Sequence, residues 1–104
     1  MINTAKPSRK TFDPIPPLSL DIVSVDGGAV ELQYKQREPD ADLQLHIILT
    51  DNNDHKWVEV VYFESDLRAQ GQYTHSYPNN VKDIRYTILS LGPMMKQCSR
   101  TVEF

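Results

Sequence analysis

The sequence predicts an all-β fold: a single antiparallel β-sandwich of about seven strands behind a Pro-rich N-terminal leader. Three observations carry this. Apolar and polar residues alternate with a period of two through seven segments. Those segments recur at roughly 8–12-residue spacing with turn-forming residues between them. Nowhere does a helical pattern of ten or more residues develop. With 104 residues the chain has room for one core. Residues 18–104 are therefore expected to form one domain, and residues 1–17 a flexible leader.

The elements follow in order. Pro7, Pro14, Pro16 and Pro17 remove backbone donors from the leader and favour extended, unpaired chain. In "LSLDIVSV", Leu18, Leu20 and Ile22 share one face. "DGG" (Asp26–Gly28) suits the positive φ of a tight hairpin turn. "AVELQYKQ" then sets Val30, Leu32 and Tyr34 against Glu31, Gln33 and Lys35. "REPDAD" (Arg37–Asp42) is a polar break. "LQLHIILT" turns Leu43, Leu45, Ile47 and Leu49 inward, with Gln44 and His46 outward. "DNNDH" (Asp51–His55) is a turn. "KWVEVVYF" carries Val58, Val60 and Tyr62 on one face and Trp57, Val61 and Phe63 on the other. A strand apolar on both faces is expected to be central or to have its second face covered. "ESDLRAQG" (Glu64–Gly71) interrupts the alternation as a helical turn or loop. "QYTHSY" resumes a strand, "PNN" breaks it, and "IRYTILSL" places Ile84, Tyr86 and Ile88 together. "CSRTVEF" closes the chain as the last strand.

Charge and composition narrow the function. Fourteen acidic against eleven basic residues give a net charge of −3. No basic stripe is present to track a phosphate backbone, so nucleic acid is not an expected partner. The basic stretch "KPSRK" (Lys6–Lys10) reads as a solvated tail. No apolar run reaches the roughly 20 residues needed to span a bilayer, and the N-terminus lacks the apolar centre of a secretion signal. The lone Cys98 cannot form an internal disulfide, which favours a reducing, cytoplasmic setting.

Catalytic signatures are lacking. His46, His55 and His75 show no metal-binding spacing and read as exposed or half-buried strand residues. "DNNDH" is oxygen-rich but lacks the glycine and the distal glutamate of a calcium loop, so an Asx-stabilised turn is expected. There is no nucleophile elbow, phosphate-binding loop or dinucleotide fingerprint. Cys98 reads as a small, partly buried apolar group. Neither a cofactor nor a metal is expected, and the chain reads as non-enzymatic.

Surface aromatics remain. Trp57, Tyr73 and Tyr77 fall at strand ends or beside loops, where rings stack on sugar faces or anchor protein interfaces. They are the expected ligand-binding residues of an interaction module for a protein or glycan. The other reading is a structural or assembly domain of a larger protein, whose strand edges and leader dock a neighbour.

Two resemblances add expectations. "YPNNVKDIRY" resembles a stretch of the F-box-associated domain, a galactose-binding-like β-sandwich, through Tyr77, Pro78, Val81, Lys82, Ile84, Arg85 and Tyr86. "DLQLHIILTD" is similar to that family's preceding strand, and "SRTVEF" to its last. The family's aromatic-rich sugar loop has no counterpart here, so no sugar-binding residue carries over. "PPLSLDIVSVDGGAVELQY" and "IRYTILSLGP" instead resemble the opening hairpin and penultimate strand of a fibronectin-type-III-like or immunoglobulin-like sandwich. Tyr34 stands where the fibronectin type usually carries tryptophan. This second likeness implies the fold without specifying an activity.

Overall fold

The computed structural model describes residues 18–36, 41–64, 68, 70–93 and 95–104. The expected leader and most of the "REPDAD" break lie outside the described residues. The rest forms seven strands: β1 (Leu18–Asp26), β2 (Ala29–Gln36), β3 (Leu43–Asp51), β4 (Lys56–Phe63), β5 (Gln72–Ser76), β6 (Val81–Ser90) and β7 (Lys96–Glu103). They pair antiparallel into a three-stranded sheet, β1-β2-β5, and a four-stranded sheet, β4-β3-β6-β7. The chain crosses between sheets after β2, β4 and β5. The sandwich expected from the alternation is the fold observed.

Each strand is placed by its own pattern. At the β1–β2 turn Asp26 stands opposite Ala29, and Gly27 and Gly28 take φ of 60° and 81°. Two successive residues at positive φ are the requirement of a type I′ hairpin turn, whose twist matches that of the strands it joins. A bulge at Val23 shifts the pairing of β1 past Ile22 and leaves Val23 and Val25 exposed. Among the described residues of the Glu64–Gly71 segment, Arg68 N–H donates to the Glu64 carbonyl at 3.0 Å, a helical hydrogen bond.

The core lies between the sheets. Leu18, Leu20, Val30, Leu32 and Tyr34 face Leu45, Ile47, Leu49, Ile84, Tyr86 and Ile88, all buried. Burial of each such aliphatic side chain is worth about 1.5–3 kcal/mol. Tyr34 stacks on Phe63 with ring centroids 4.7 Å apart, and Tyr73 tilts against Phe63 at 5.6 Å. Burial, with Tyr73 as a smaller contribution, pushes the Tyr34 hydroxyl up to about 12.

Two sequence expectations need correction. β4 is an edge strand of its sheet, not a central one: among the described residues it pairs with β3 alone. Its outer face is open, with Val58, Val60 and Tyr62 at 60%, 41% and 68% exposure. His75 is neither exposed nor half-buried; it lies in the core at 4%.

Candidate functional site

The three aromatics expected to bind ligand do not converge. Tyr73 is on β5 opposite Leu32, near the end of the sandwich where β4 finishes. Trp57 opens β4 at the other end, opposite Leu49. Tyr77 follows β5, four steps along extended chain, about 13 Å, from Tyr73. All three are half-buried and pack against the core. Tyr77 also tilts against Phe104, centroids 4.8 Å apart. Trp57 donates its indole N–H to Glu59 Oε2 at 3.3 Å.

The loops at the Tyr77 end are tied together. Tyr77 N–H donates to the Gly28 carbonyl, Asn52 N–H to that of Asn80 and Phe104 N–H to that of Lys82, each at 2.9 Å. Within "DNNDH", Asp51 Oδ1 accepts the backbone N–H groups of Asn53 (2.8 Å) and His55 (2.9 Å). Those bonds, the one from His55 first, hold the Asp51 carboxyl below the usual carboxylate range. Asp51 is therefore engaged in closing an Asx turn. Asp54, at positive φ, pairs with Lys82, which also lowers its carboxyl.

A polar chain spans the gap between the two sheets. His75 Nδ1 lies 2.8 Å from the Tyr86 hydroxyl, and its Nε2 lies 3.1 Å from Glu59 Oε1. The Glu59 carboxylate can only accept, so Nε2 carries a proton. With neutral imidazole, Nδ1 then accepts from the Tyr86 hydroxyl. Carboxylate, imidazole and hydroxyl in that order are the pattern that activates a nucleophile. Here the hydroxyl belongs to Tyr86, which has no solvent exposure. Burial raises it well above its ordinary range. A substrate has no route to that oxygen, so the chain works as internal bracing. Sequence reading missed it because Glu59, His75 and Tyr86 come from three strands: β3 pairs with both β4 and β6, and His75 reaches them from β5 in the opposite sheet.

The other feature is the outer face of the four-stranded sheet. Tyr62, Val60 and Val58 stand opposite Gln44, His46 and Ile48 on β3. Those residues face Leu89, Thr87 and Arg85 on β6. Ile48 and Leu89 are half-buried, so the apolar surface of β4 continues inward along the sheet. At the end where Tyr62 lies, a groove of about 540 Å³ opens between Asp42, Gln44, Tyr62, Glu64 and Arg68. Its rim carries an Arg68–Asp42 contact at 3.4 Å. The apolar run of "VEVVY" signals this surface in the sequence, but nothing in it distinguishes a covered strand from an edge.

Cys98, on β7 opposite Ile88, is half-buried against the core, with the Arg100 guanidinium 3.5 Å from its sulfur. Among the described residues no group of three His, Cys, Asp or Glu side chains is gathered as a metal site. No helix among them is long and apolar enough to cross a membrane. Compared with known protein families and with curated proteins, the chain matches none.

Proposed function

We propose that this domain is a non-catalytic interaction module of the assembly type, docking a protein partner through the β4 edge and the apolar face beside it. One observation carries the reading: three large apolar side chains, Val58, Val60 and Tyr62, are exposed in a row on a strand that, among the described residues, pairs on one side only. An edge strand offers unpaired N–H and C=O groups, and proteins usually blunt such edges with proline, lysine or a bulge. β4 has no proline, its one lysine stands at the first position, and its pairing with β3 runs without a shift. Strand addition by a partner would satisfy both its backbone and its side chains.

Recognition of a protein or glycan through Trp57, Tyr73 and Tyr77 has less support, since these rings are spread over two ends and lean on the core. The pairing order, with three strand-to-strand crossings between sheets, supports the fibronectin-type-III-like or immunoglobulin-like reading of the sandwich. "YPNNVKDIRY", the basis of the galactose-binding-like reading, supplies the β5–β6 link and the first half of β6.

The test is titration of the full chain with a short alternating valine–threonine peptide, read by backbone amide shifts. The reading expects shifts confined to Val58, Val60, Tyr62 and their neighbours, and their loss in Val60→Lys. Shifts grouped instead around Trp57 and Tyr77, or none at millimolar peptide, a range set by weak-binding energetics of about −4 kcal/mol, would overturn it.

A further inference from the structure

We infer that the occupant of the β4 edge is a second copy of this chain, joined antiparallel about a two-fold axis at Val60; the inference rests on the assembly reading above. The argument begins with the backbone. Asp51 N–H donates to the His55 carbonyl and closes the β3–β4 hairpin. Hydrogen-bonded pairs alternate along an antiparallel ladder. Counting from that bond through the Leu49–Trp57 and Ile47–Glu59 pairs, the odd-numbered residues of β4 bond to β3. The other side of β3 agrees: even-numbered Asp42 accepts from Leu91, on the β6 side. Lys56, Val58, Val60 and Tyr62 therefore direct their N–H and C=O groups to the free edge. They are also the residues whose side chains form the exposed row.

Self-pairing must put residues of like orientation opposite one another, so a two-fold axis can fall only at a residue. At Val60, the axis sets Val60 against itself, Val58 against Tyr62 and Trp57 against Phe63 of the second copy. Lys56 then meets Glu64. Every outward pair is apolar with apolar or positive with negative, and no like charges meet. An axis at Glu59 would oppose two carboxylates, and one at Val61 would oppose Val58 to Glu64. Cross-strand pairs of matched type stabilise a sheet, whereas directly opposed like charges weaken it. Glu59, which would face Val61, already has its carboxylate on His75 and Trp57. The product is one continuous sheet of two four-stranded halves, with its apolar outer strip doubled in width.

Sedimentation analysis of the full chain tests this. A reversible dimer is expected. Val60→Lys puts two ammonium groups at the axis and should weaken it by about 100-fold or more, with a circular dichroism spectrum like that of the parent. Lys56→Glu alone and Glu64→Lys alone each oppose like charges, and each should weaken self-association. An equimolar mixture of those two variants restores both opposite-charge pairs and should form a heterodimer, which only the Val60 register predicts. A chain that stays monomeric at concentrations on the order of 1 mM, or a dimer unaffected by Val60→Lys, overturns the inference. If the monomer still binds the valine–threonine peptide at β4, the docking surface survives and only its occupant was misassigned. If deletion of residues 1–17 exposes β4 amides in a monomer, the leader is the occupant and the second copy is not.

Discussion

The two sides of this sandwich are closed by different means. On one side β1 runs close beside β7. The outer row of β7 there is polar, with Gln97, Ser99 and Thr101, and Arg100 and Lys96 mark its inner row. On the other side, side chains bridge β4 and β5: His75 to Glu59, and Tyr73 to Phe63. Its outer row is Val58, Val60 and Tyr62. The difference shows how one sheet can carry a protected edge and an available one. Bracing by side chains fixes β4 in position while its outward backbone groups find no partner among the described residues.

Substitutions can break this contrast, beginning with the aromatic brace. Phe63→Ala removes a ring that contacts both Tyr34 and Tyr73. It should cost about 3–5 kcal/mol in denaturant unfolding. His75→Ala leaves the buried Tyr86 hydroxyl without its partner and opens a small void, for about 2–4 kcal/mol. Tyr86→Phe in the same background should recover part of that loss, because the orphaned hydroxyl disappears. If the two substitutions are instead additive, the polar chain is not a unit. Both are expected to loosen β4 more than β7 in amide exchange; equal loosening would mean that the two sides are not independently held.

A smaller effect sits where β5 begins. Gly71 has φ of 74°, and a Cβ there would meet the Tyr34 carbonyl at 3.1 Å. The Gly71 carbonyl also accepts from Tyr34 N–H at 2.9 Å. Gly71→Ala should cost about 1–2 kcal/mol. The smallest effect concerns pH at the turn end. The folded-state pKa of Asp51 is depressed, so its contribution is complete above the unfolded value of about 3.9. It fades as pH falls through the lower, folded value. Asp51→Asn should therefore lower the melting temperature at neutral pH and flatten its decline in acid. An unchanged acid limb would show that those two backbone bonds matter little.

Much of the fold was legible because alternation leaves little choice about which face is buried. Leu43, Leu45, Ile47 and Leu49 declare β3 without help, and "DGG" declares its turn. What escaped was placement in the sheet. An apolar two-sided strand and an apolar edge strand have the same letters, so "VEVVY" read as central or covered, whereas among the described residues only β3 pairs with it. His75 escaped for a similar reason. A polar residue on the inward row of β5 looks like an exception to the pattern until Glu59 and Tyr86 arrive from other strands to satisfy both ring nitrogens. The aromatics Trp57, Tyr73 and Tyr77 were visible as residues, but their separation is set by the length of β5 and by where β4 starts and stops. The interior was thus spelled out locally, while the candidate site depends on pairings between distant segments.

The pairing of β3 with β6 has a kinetic consequence. These two strands form the middle of the larger sheet, yet a hairpin, a crossover and all of β5 intervene between them in the chain. That long excursion must close before the centre can zip, which places such topologies among the millisecond-to-second folders. Throughout that delay the β3–β4 hairpin, whose contacts are local, is already able to form. A nascent chain would then display its valine-rich rim before its interior is sealed, and crowding during synthesis would make that interval the one in which it meets its neighbours.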